Sequence, residues 1–178
     1  MLNIKIVCVG KLKEKYWRDA CAEYVKRLGA YCNVEITELK EEKLPSGASP
    51  ADEQKVIDAE GMEILRRIDG SAGIGKTKTG KTATASGGRR DYVVALDIKG
   101  TEMSSEELAG MIDRVSMDHS TVVFVIGGSL GLSDDVKKRA DAKMSFGRIT
   151  LPHQLARVVN LEQIYRAFKI NAGEIYHK

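Results

Sequence analysis

The stretch TVVFVIGGSLGL, residues 121–132, contains the two features that best predict the fold. Its first six residues are all β-branched or aromatic, which is typical of a central strand buried on both faces of a parallel sheet. A glycine-rich turn follows directly, and Gly127 and Gly128 would let a ligand approach the backbone closely. Because parallel sheets bind ligands at the carboxyl ends of their strands, this turn is a candidate site. It lacks the G-x-G-x-x-G spacing of a dinucleotide fold, so an ordinary tight turn remains the alternative.

Strand and helix patterns alternate on both sides of this stretch. Apolar runs predict further strands in IKIVCVG, VEITEL, YVVALDI and MSFGRITL. Helical spacing predicts helices in KEKYWRDACAEYVKRLG, from Pro50 to about Ile68, in SSEELAGMIDRVSMD, in a short polar segment from Asp134, and from about Leu155 to Ile170. Ser49 is a plausible N-cap before Pro50, and Ser104 with Glu107 forms a capping box. The alternation predicts an α/β domain whose mostly parallel sheet has helices on both faces.

Composition limits the class of protein. The 178 residues suit a single domain, and a formal net charge of +3 permits a nucleic-acid partner without requiring one. Cys8, Cys21 and Cys32 lack paired spacing, so we expect buried free thiols and no disulfide or zinc site. The N-terminal lysines follow a short apolar run, unlike a secretory signal, and no segment has the length of a membrane span. We therefore expect a cytoplasmic protein with no membrane partner and no metal.

One segment imitates a nucleotide-binding motif. GKTKTGKT, residues 75–82, fits G-x-x-x-x-G-K-[ST], the pattern of a phosphate-binding P-loop. A P-loop needs a buried strand before it and a helix after it, whereas the preceding EILRRIDG reads as the end of a helix. The surrounding residues 70–88 are rich in glycine, threonine and lysine, which predicts a flexible insertion in a single domain, 1–178. Its lysines, with Arg89 and Arg90, are candidate RNA contacts.

The C-terminal helix combines basic and aromatic residues. Arg157, Arg166 and Lys169 lie along it with Tyr165 and Phe168, and the chain ends Tyr176, His177 and Lys178. This combination suits a phosphate-rich partner with a stacked base. An amphipathic helix docked on the core, with its charges in solvent, explains the same pattern equally well.

Seven motifs in order give the chain a family resemblance. They are VGKLKEKYW, ALDIKG, SSEELA, FVIGGSLGL, TLPHQLARVV, LEQIYRAFKI and the terminal YHK. Together they resemble the bacterial large-subunit ribosomal RNA pseudouridine N3-methyltransferases, a family of the SPOUT class of knotted methyltransferases. The similarity covers nearly the whole chain except the insertion at 70–88.

This resemblance implies a fold and an activity. It implies a C-terminal deep trefoil knot, which is an exception to the rule against threaded chains. It also implies S-adenosylmethionine as cofactor and a homodimer whose substrate sites use parts of both subunits. The expected substrate is N3 of a pseudouridine in large-subunit (23S) rRNA of the assembled ribosome.

The resemblance also assigns site residues. Leu96 of ALDIKG would cover the cofactor, and Gly127 would meet it through its backbone. The remaining wall would be the run Phe146, Gly147, Arg148, Ile149, Thr150 and Leu151. An apolar pocket with backbone donors suits adenine better than a triphosphate. Asn160 departs from the expected pattern, because an apolar residue is expected there and a buried amide would need partners.

Several roles stay open at this level. The candidate general bases for removing the N3 proton are His153, Glu162 and His177, with no order among them. The candidate RNA-binding residues are Arg157, Arg166, Lys169, Tyr176 and Lys178, and Arg148 is a candidate contact of both cofactor and RNA. The rival functions are a P-loop phosphotransferase, a non-catalytic RNA-binding protein and a SPOUT methyltransferase with another RNA substrate.

Overall fold

A computed structural model describes residues 1–69 and 90–176. Its strands are β1 (Leu2–Val9), β2 (Cys32–Leu39), β3 (Tyr92–Glu102), β4 (Thr121–Ile126) and β5 (Ala142–Ser145). Its helices are α1 (Lys15–Leu28), α2 (Pro50–Asp69), α3 (Ser105–Asp118), α4 (Asp134–Arg139) and α5 (His153–Asn171). The strands form one parallel sheet in the order β2-β1-β4-β3-β5, which confirms the predicted α/β class.

The core lies on both faces of this sheet. Every residue of β4 is buried, as the uninterrupted apolar run predicts. One face packs against α1, α3 and α5, with Phe124 of β4 among its buried residues. The other face packs against α2 and α4, with Val123 and Val125 of β4 among its buried residues. The prediction of helices on both faces is therefore confirmed.

Local signals set the helix starts. The Glu107 amide donates to Ser104 Oγ at 3.2 Å, and the Ser104 amide donates to the Glu107 carboxylate at 2.7 Å, which forms the predicted capping box of α3. The Asp52 amide likewise donates to Ser49 Oγ at 3.3 Å, and α2 begins at Pro50 as predicted. Cys8, Cys21 and Cys32 are buried and free, also as predicted.

Two strands differ from the prediction. β5 ends at Ser145, so most of the predicted strand MSFGRITL is a loop. The loop begins where the Gly147 amide donates to Ser145 Oγ at 3.1 Å and Gly147 adopts φ +98°, a conformation that suits glycine. β3 continues past the predicted end at Ile98 to Glu102, with an irregularity in its pairing to β5 between Leu96 and Thr101.

The P-loop look-alike, GKTKTGKT, lies outside the described residues, as do the rest of the predicted insertion, 70–88, and Arg89. The last described residues before it belong to a helix, α2, and not to the buried strand that a P-loop requires. Within residues 1–69 and 90–176, no helix is long and apolar enough to cross a membrane.

Candidate active site

A cavity of about 620 Å³ opens at the carboxyl ends of β3, β4 and β5. Its volume falls in the range of small-molecule sites. Three segments supply most of its lining: residues 96–99 of β3, just beyond the part of β3 that pairs with β4, residues 126–132 from the end of β4 onward, and residues 144–153 around the end of β5, with Arg148 excepted. The strand-end position is the one that parallel α/β sheets use for ligands.

The glycine turn after β4 forms one wall of this cavity. The turn folds back on itself, because the Gly131 amide donates to the Gly128 carbonyl at 3.1 Å. A Cβ on Gly127 would lie 2.8 Å from the carbonyl carbon of Gly131, closer than real side chains approach backbone. Gly131 itself has φ +84°. The turn therefore depends on glycine for its close packing, and it brings backbone to the cavity surface.

The opposite wall comes from the loop after β5. Phe146, Gly147, Ile149, Thr150 and Leu151 all line the cavity, as the family resemblance implies, and so does Leu96. Arg148 is exposed and does not line it. The fold thus brings seven of the eight predicted cofactor residues, Gly127 included, to one cavity.

Polar groups enter this apolar cavity at a few points. Asp97 lines it and is held in place by the Lys99 amide, which donates to its carboxylate at 3.2 Å, and by Lys137 Nζ at 3.3 Å. Ser129, Thr150 and His153 also reach the lining. Sequence reasoning missed Asp97 and Lys137, since they are 40 residues apart and only the fold brings them together.

His153 is the one candidate base that lines the cavity among those the structure describes. It is the first residue of α5, and its ring packs on Gly10 at the carboxyl end of β1. A Cβ on Gly10 would lie 3.0 Å from His153 Nε2, and Gly10 has φ +89°. Gly10 therefore gives the imidazole the room to sit against β1.

The backbone of Gly10 is held in place by Arg157 of α5. Arg157 Nη2 donates to the Gly10 carbonyl at 2.9 Å, and Nη1 donates to Glu38 Oε1 at 2.5 Å. The same Glu38 oxygen accepts from the Leu12 amide at 3.2 Å. This network ties the ends of β1 and β2 to α5, one helical turn below His153.

The prediction that Arg157 binds RNA is wrong. Its side chain is 1% exposed, and its guanidinium points into the protein toward Glu38 and Gly10. Asn160, one turn further along α5, is fully buried, and neither of its amide atoms has a hydrogen-bond partner in the described part of the chain. The amide anticipated as a departure from the family pattern is therefore an unsatisfied buried group.

The other candidates on α5 form a separate cluster. Glu162 accepts from Arg166 at 2.6 Å and from the Tyr176 hydroxyl at 3.3 Å, and the Arg166 guanidinium lies 4.7 Å from the Tyr176 ring centre. Lys169 pairs with Glu174, which also accepts from the Tyr31 hydroxyl. Glu162 is not among the residues lining the cavity. His177 and Lys178 lie outside the described residues.

Glu60 of α2 is a third residue that sequence reasoning missed, after Asp97 and Lys137. It is 5% exposed, its carboxylate accepts from the Glu42 amide at 3.1 Å, and a Cβ on Gly128 would lie 2.7 Å from its Oε2. Burial raises the pKa of this carboxyl group, and the nearby Glu41 and Glu42 carboxylates act in the same direction. Glu60 therefore supports the glycine turn from the side away from the cavity.

The cavity fits S-adenosylmethionine. It offers apolar side chains for a purine ring, backbone brought close by glycines, and a few hydroxyl and carboxylate groups for ribose and amino-acid moieties. No cluster of three or more histidine, cysteine or acidic side chains in residues 1–69 and 90–176 is placed to hold a metal ion.

Comparisons with known proteins agree with this geometry. A family model described as "Predicted SPOUT methyltransferase" matches residues 2–177. The chain is 52% identical over 178 residues to the "Ribosomal RNA large subunit methyltransferase H" of Limosilactobacillus reuteri, with 99% of this chain and 100% of the relative covered. The protein of the same name from Oenococcus oeni is 48% identical over 179 residues, with both chains covered completely.

Solved structures are similar in fold at low sequence identity. A probable methylase family protein from Haemophilus influenzae matches with a TM-score of 0.50 and 13% identity, covering 99% of this chain and 71% of the other. A probable methyltransferase from Bordetella pertussis matches with a TM-score of 0.50 and 14% identity, covering 94% and 95%.

Proposed function

Since the chain belongs to the SPOUT methyltransferase family, we propose that it methylates RNA of the large ribosomal subunit, with S-adenosylmethionine as its cofactor. The observation that carries this proposal is the identity of about half of all residues with large-subunit rRNA methyltransferases over the full chain. The cavity at the carboxyl ends of β3, β4 and β5 supports it, because it has the size and lining for that cofactor.

The finer substrate assignment rests on the motifs of the sequence. The target is N3 of a pseudouridine, and the RNA is presented by the assembled ribosome to a homodimer. The C-terminal segment passes through a deep trefoil knot in this proposal. The substrate base must be unstacked to reach the cavity, which favours a loop nucleotide. Because ribosomes are cytoplasmic in bacteria, we expect the enzyme there too.

The residues that would hold the cofactor come from the three cavity segments. Leu96, Phe146, Ile149 and Leu151 would enclose its apolar parts, and the Gly127 turn would contact it through backbone. When bound, S-adenosylmethionine supplies an electrophilic methyl group on its sulfonium sulfur.

His153 is our candidate for the general base. N3 of a pyrimidine carries a proton at neutral pH, and this proton must leave as N3 becomes the nucleophile. An imidazole nitrogen of His153 accepts it, because His153 lines the cavity while the Glu162 carboxylate is engaged by Arg166. The stacking on Gly10, itself held by Arg157, orients the ring and contributes positioning to the rate.

The test is methyl transfer from tritiated S-adenosylmethionine to assembled ribosomes from cells that lack the modification. We expect label in large-subunit RNA that maps to a pseudouridine. His153→Asn should lower kcat by about 10²-fold or more, the range for loss of a general base, with little change in cofactor affinity. His119→Asn is the matched control, because His119 directly follows α3 and its ring nitrogen contacts the Arg90 carbonyl, away from the cavity.

Three outcomes would contradict the proposal at different levels. Label in small-subunit RNA or tRNA would exclude large-subunit RNA as the substrate. Binding of S-adenosylmethionine without any methyl transfer would favour a non-catalytic role. Wild-type kcat in His153→Asn would exclude His153 as the base and leave the methyltransferase assignment intact.

A further inference from the structure

The loop after β1 carries a concentration of positive charge beside the cavity. Residues 11–18, KLKEKYWR, which we call the basic loop, comprise the loop 11–14 and the first turn of α1, and they contain four basic side chains and one acid, Glu14. The loop begins next to Gly10, on which His153 packs. Because β1 neighbours β4 in the sheet, the basic loop lies beside the glycine turn at the same edge.

The four basic residues of this loop divide into two kinds. Arg18 is structural, because its Nη1 donates to the Leu12 carbonyl at 3.1 Å and to the Lys13 carbonyl. Lys15 pairs with Asp19 in the next turn of α1. Lys11 and Lys13 are exposed, and in residues 1–69 and 90–176 neither has an acidic group at ion-pair distance.

The loop that presents these two lysines is anchored. Leu12, which separates them, is 8% exposed, and its amide donates to Glu38 at 3.2 Å. Alternate positions therefore point inward and outward, and the inward Leu12 fixes the backbone that carries Lys11 and Lys13. A pair of unneutralised ammonium groups on a fixed backbone suits a phosphate chain.

An aromatic ring completes the surface. Tyr16 is 63% exposed, and its ring lies 5.0 Å from that of Trp17 at an angle of 53°. Trp17 packs against the core, so it supports Tyr16 from behind. An exposed ring next to basic groups is the combination with which proteins stack the bases of single-stranded nucleic acid.

We infer that Lys11, Lys13 and Tyr16 form a docking surface for single-stranded ribosomal RNA, in which the lysines bind phosphates and Tyr16 stacks on an unpaired base. The inference rests on the proposed function for its partner, and it assigns that partner a surface on the fold. The RNA strand that runs over this surface enters the cavity past His153. On α5, Arg166 pairs with Glu162 and Lys169 pairs with Glu174. Because these acids partly neutralise them, the two residues are weaker phosphate ligands than Lys11 and Lys13.

The experiment is a binding titration that needs no methyl transfer. The probe is a fluorescein-labelled single-stranded dodecamer of uridine, followed by anisotropy at several salt concentrations with wild type, Lys11→Gln/Lys13→Gln, Tyr16→Ala and Tyr16→Phe. The matched control is Lys26→Gln/Arg67→Gln, which removes the same charge from exposed positions in the last turns of α1 and α2. Thermal melting of each variant checks that the fold is unchanged.

We expect the double lysine variant to bind the RNA at least fivefold more weakly. The slope of log affinity against log salt should fall by about 1.4, since two single-strand phosphate contacts are lost. Tyr16→Ala should weaken binding about fivefold or more, while Tyr16→Phe keeps the stacking ring and the affinity. The control should match wild type, and cofactor affinity should be the same in all variants.

Wild-type affinity and salt slope in Lys11→Gln/Lys13→Gln would overturn the inference. Equal loss in the control pair, or wild-type affinity in Tyr16→Ala, would overturn it as well. Methyl transfer to ribosomes, measured in parallel, separates this failure from failure of the proposed function. Active wild type with an unchanged KM for ribosomes in the lysine variant rejects the surface alone, whereas a wild type without transfer rejects the function.

Discussion

The two halves of α5 contain the same kinds of side chain in opposite environments. In the first half, Arg157 is 1% exposed and joins α5 to the ends of β1 and β2. In the second half, Arg166 pairs with Glu162 on the same helix, with both side chains partly exposed. Sequence patterns treat the two arginines alike, whereas burial gives the first a structural role beneath the cavity. The difference teaches that the contribution of a charged side chain to stability depends on its exposure and its partners.

Of the variants that test this comparison, the one that removes the Arg157 guanidinium should change the free energy of unfolding the most. Arg157→Met should lower the free energy of unfolding by about 3–5 kcal/mol, because it leaves the Glu38 carboxylate and the Gly10 carbonyl without their partner. Urea denaturation measures the change. A loss below about 1 kcal/mol would mean that the buried half of α5 is not held by this network.

The buried Cys8 thiol near Arg157 makes the stability of the fold depend on pH in the alkaline range. Burial raises the pKa of Cys8 from 9.0 to about 12, although the nearby Arg157 acts in the opposite direction. Between these values the folded state keeps a proton that the unfolded state has lost, so stability is complete below pH 9 and falls as pH rises. The expected slope from Cys8 is about 1.4 kcal/mol per pH unit.

Thermal melting from pH 8 to pH 11 tests this linkage. Cys8→Ala should show a shallower decline than wild type. Cys32, whose pKa burial also raises to about 12, contributes a similar decline and remains in that variant. Parallel curves for wild type and Cys8→Ala would contradict the assignment.

Two asparagines of α5 sharpen the comparison. Asn160 is buried with no hydrogen-bond partner among the described residues, whereas Asn171 Nδ2 donates to the Ala109 carbonyl at 3.0 Å. Asn160→Leu should raise the free energy of unfolding by about 1–2 kcal/mol, because it removes an unsatisfied amide from the core. Asn171→Leu should lower it by about 1 kcal/mol. Destabilisation by Asn160→Leu in urea denaturation would indicate that this amide has a partner.

Arg166 gives the smallest expected effect. Arg166→Met should change the free energy of unfolding by about 1 kcal/mol or less, since a partly exposed pair within one helix contributes little. The same urea measurement applies to Arg166→Met and Arg157→Met. Equal losses in the two variants would remove the distinction between the halves of α5.

Local signals in the sequence predicted much of the fold. The capping box at Ser104, the start of α2 at Pro50 and the apolar run of β4 depend on neighbours within a few residues, and each is confirmed. The predicted end of β5 was wrong because the Gly147 amide donates to the Ser145 hydroxyl. This hydrogen bond turns the chain at a point where the sequence pattern predicts a continuous strand.

Long-range contacts explain what the sequence could not predict. The burial of Arg157 depends on Glu38, which is 119 residues away, and the support of Gly128 by Glu60 depends on α2. The cavity residues Leu96 and Phe146 followed from family motifs, because composition and periodicity do not distinguish a cofactor loop from an ordinary turn. The turn at Gly127 was already a candidate site from its position after a buried strand, with an ordinary turn as the alternative. The binding role of these residues remains a prediction.

The most direct test of the account is calorimetric titration of S-adenosylmethionine into wild type, Gly127→Ala and Gly110→Ala. A Cβ on Gly127 would meet the Gly131 backbone at 2.8 Å, whereas a Cβ on Gly110 would meet only the end of the Arg114 side chain, at 3.3 Å. We predict saturable binding to wild type and Gly110→Ala, and at least about tenfold weaker binding to Gly127→Ala, equivalent to about 1.4 kcal/mol. Wild-type affinity in Gly127→Ala, or no saturable binding to wild type, would contradict the assignment of this cavity as the cofactor site.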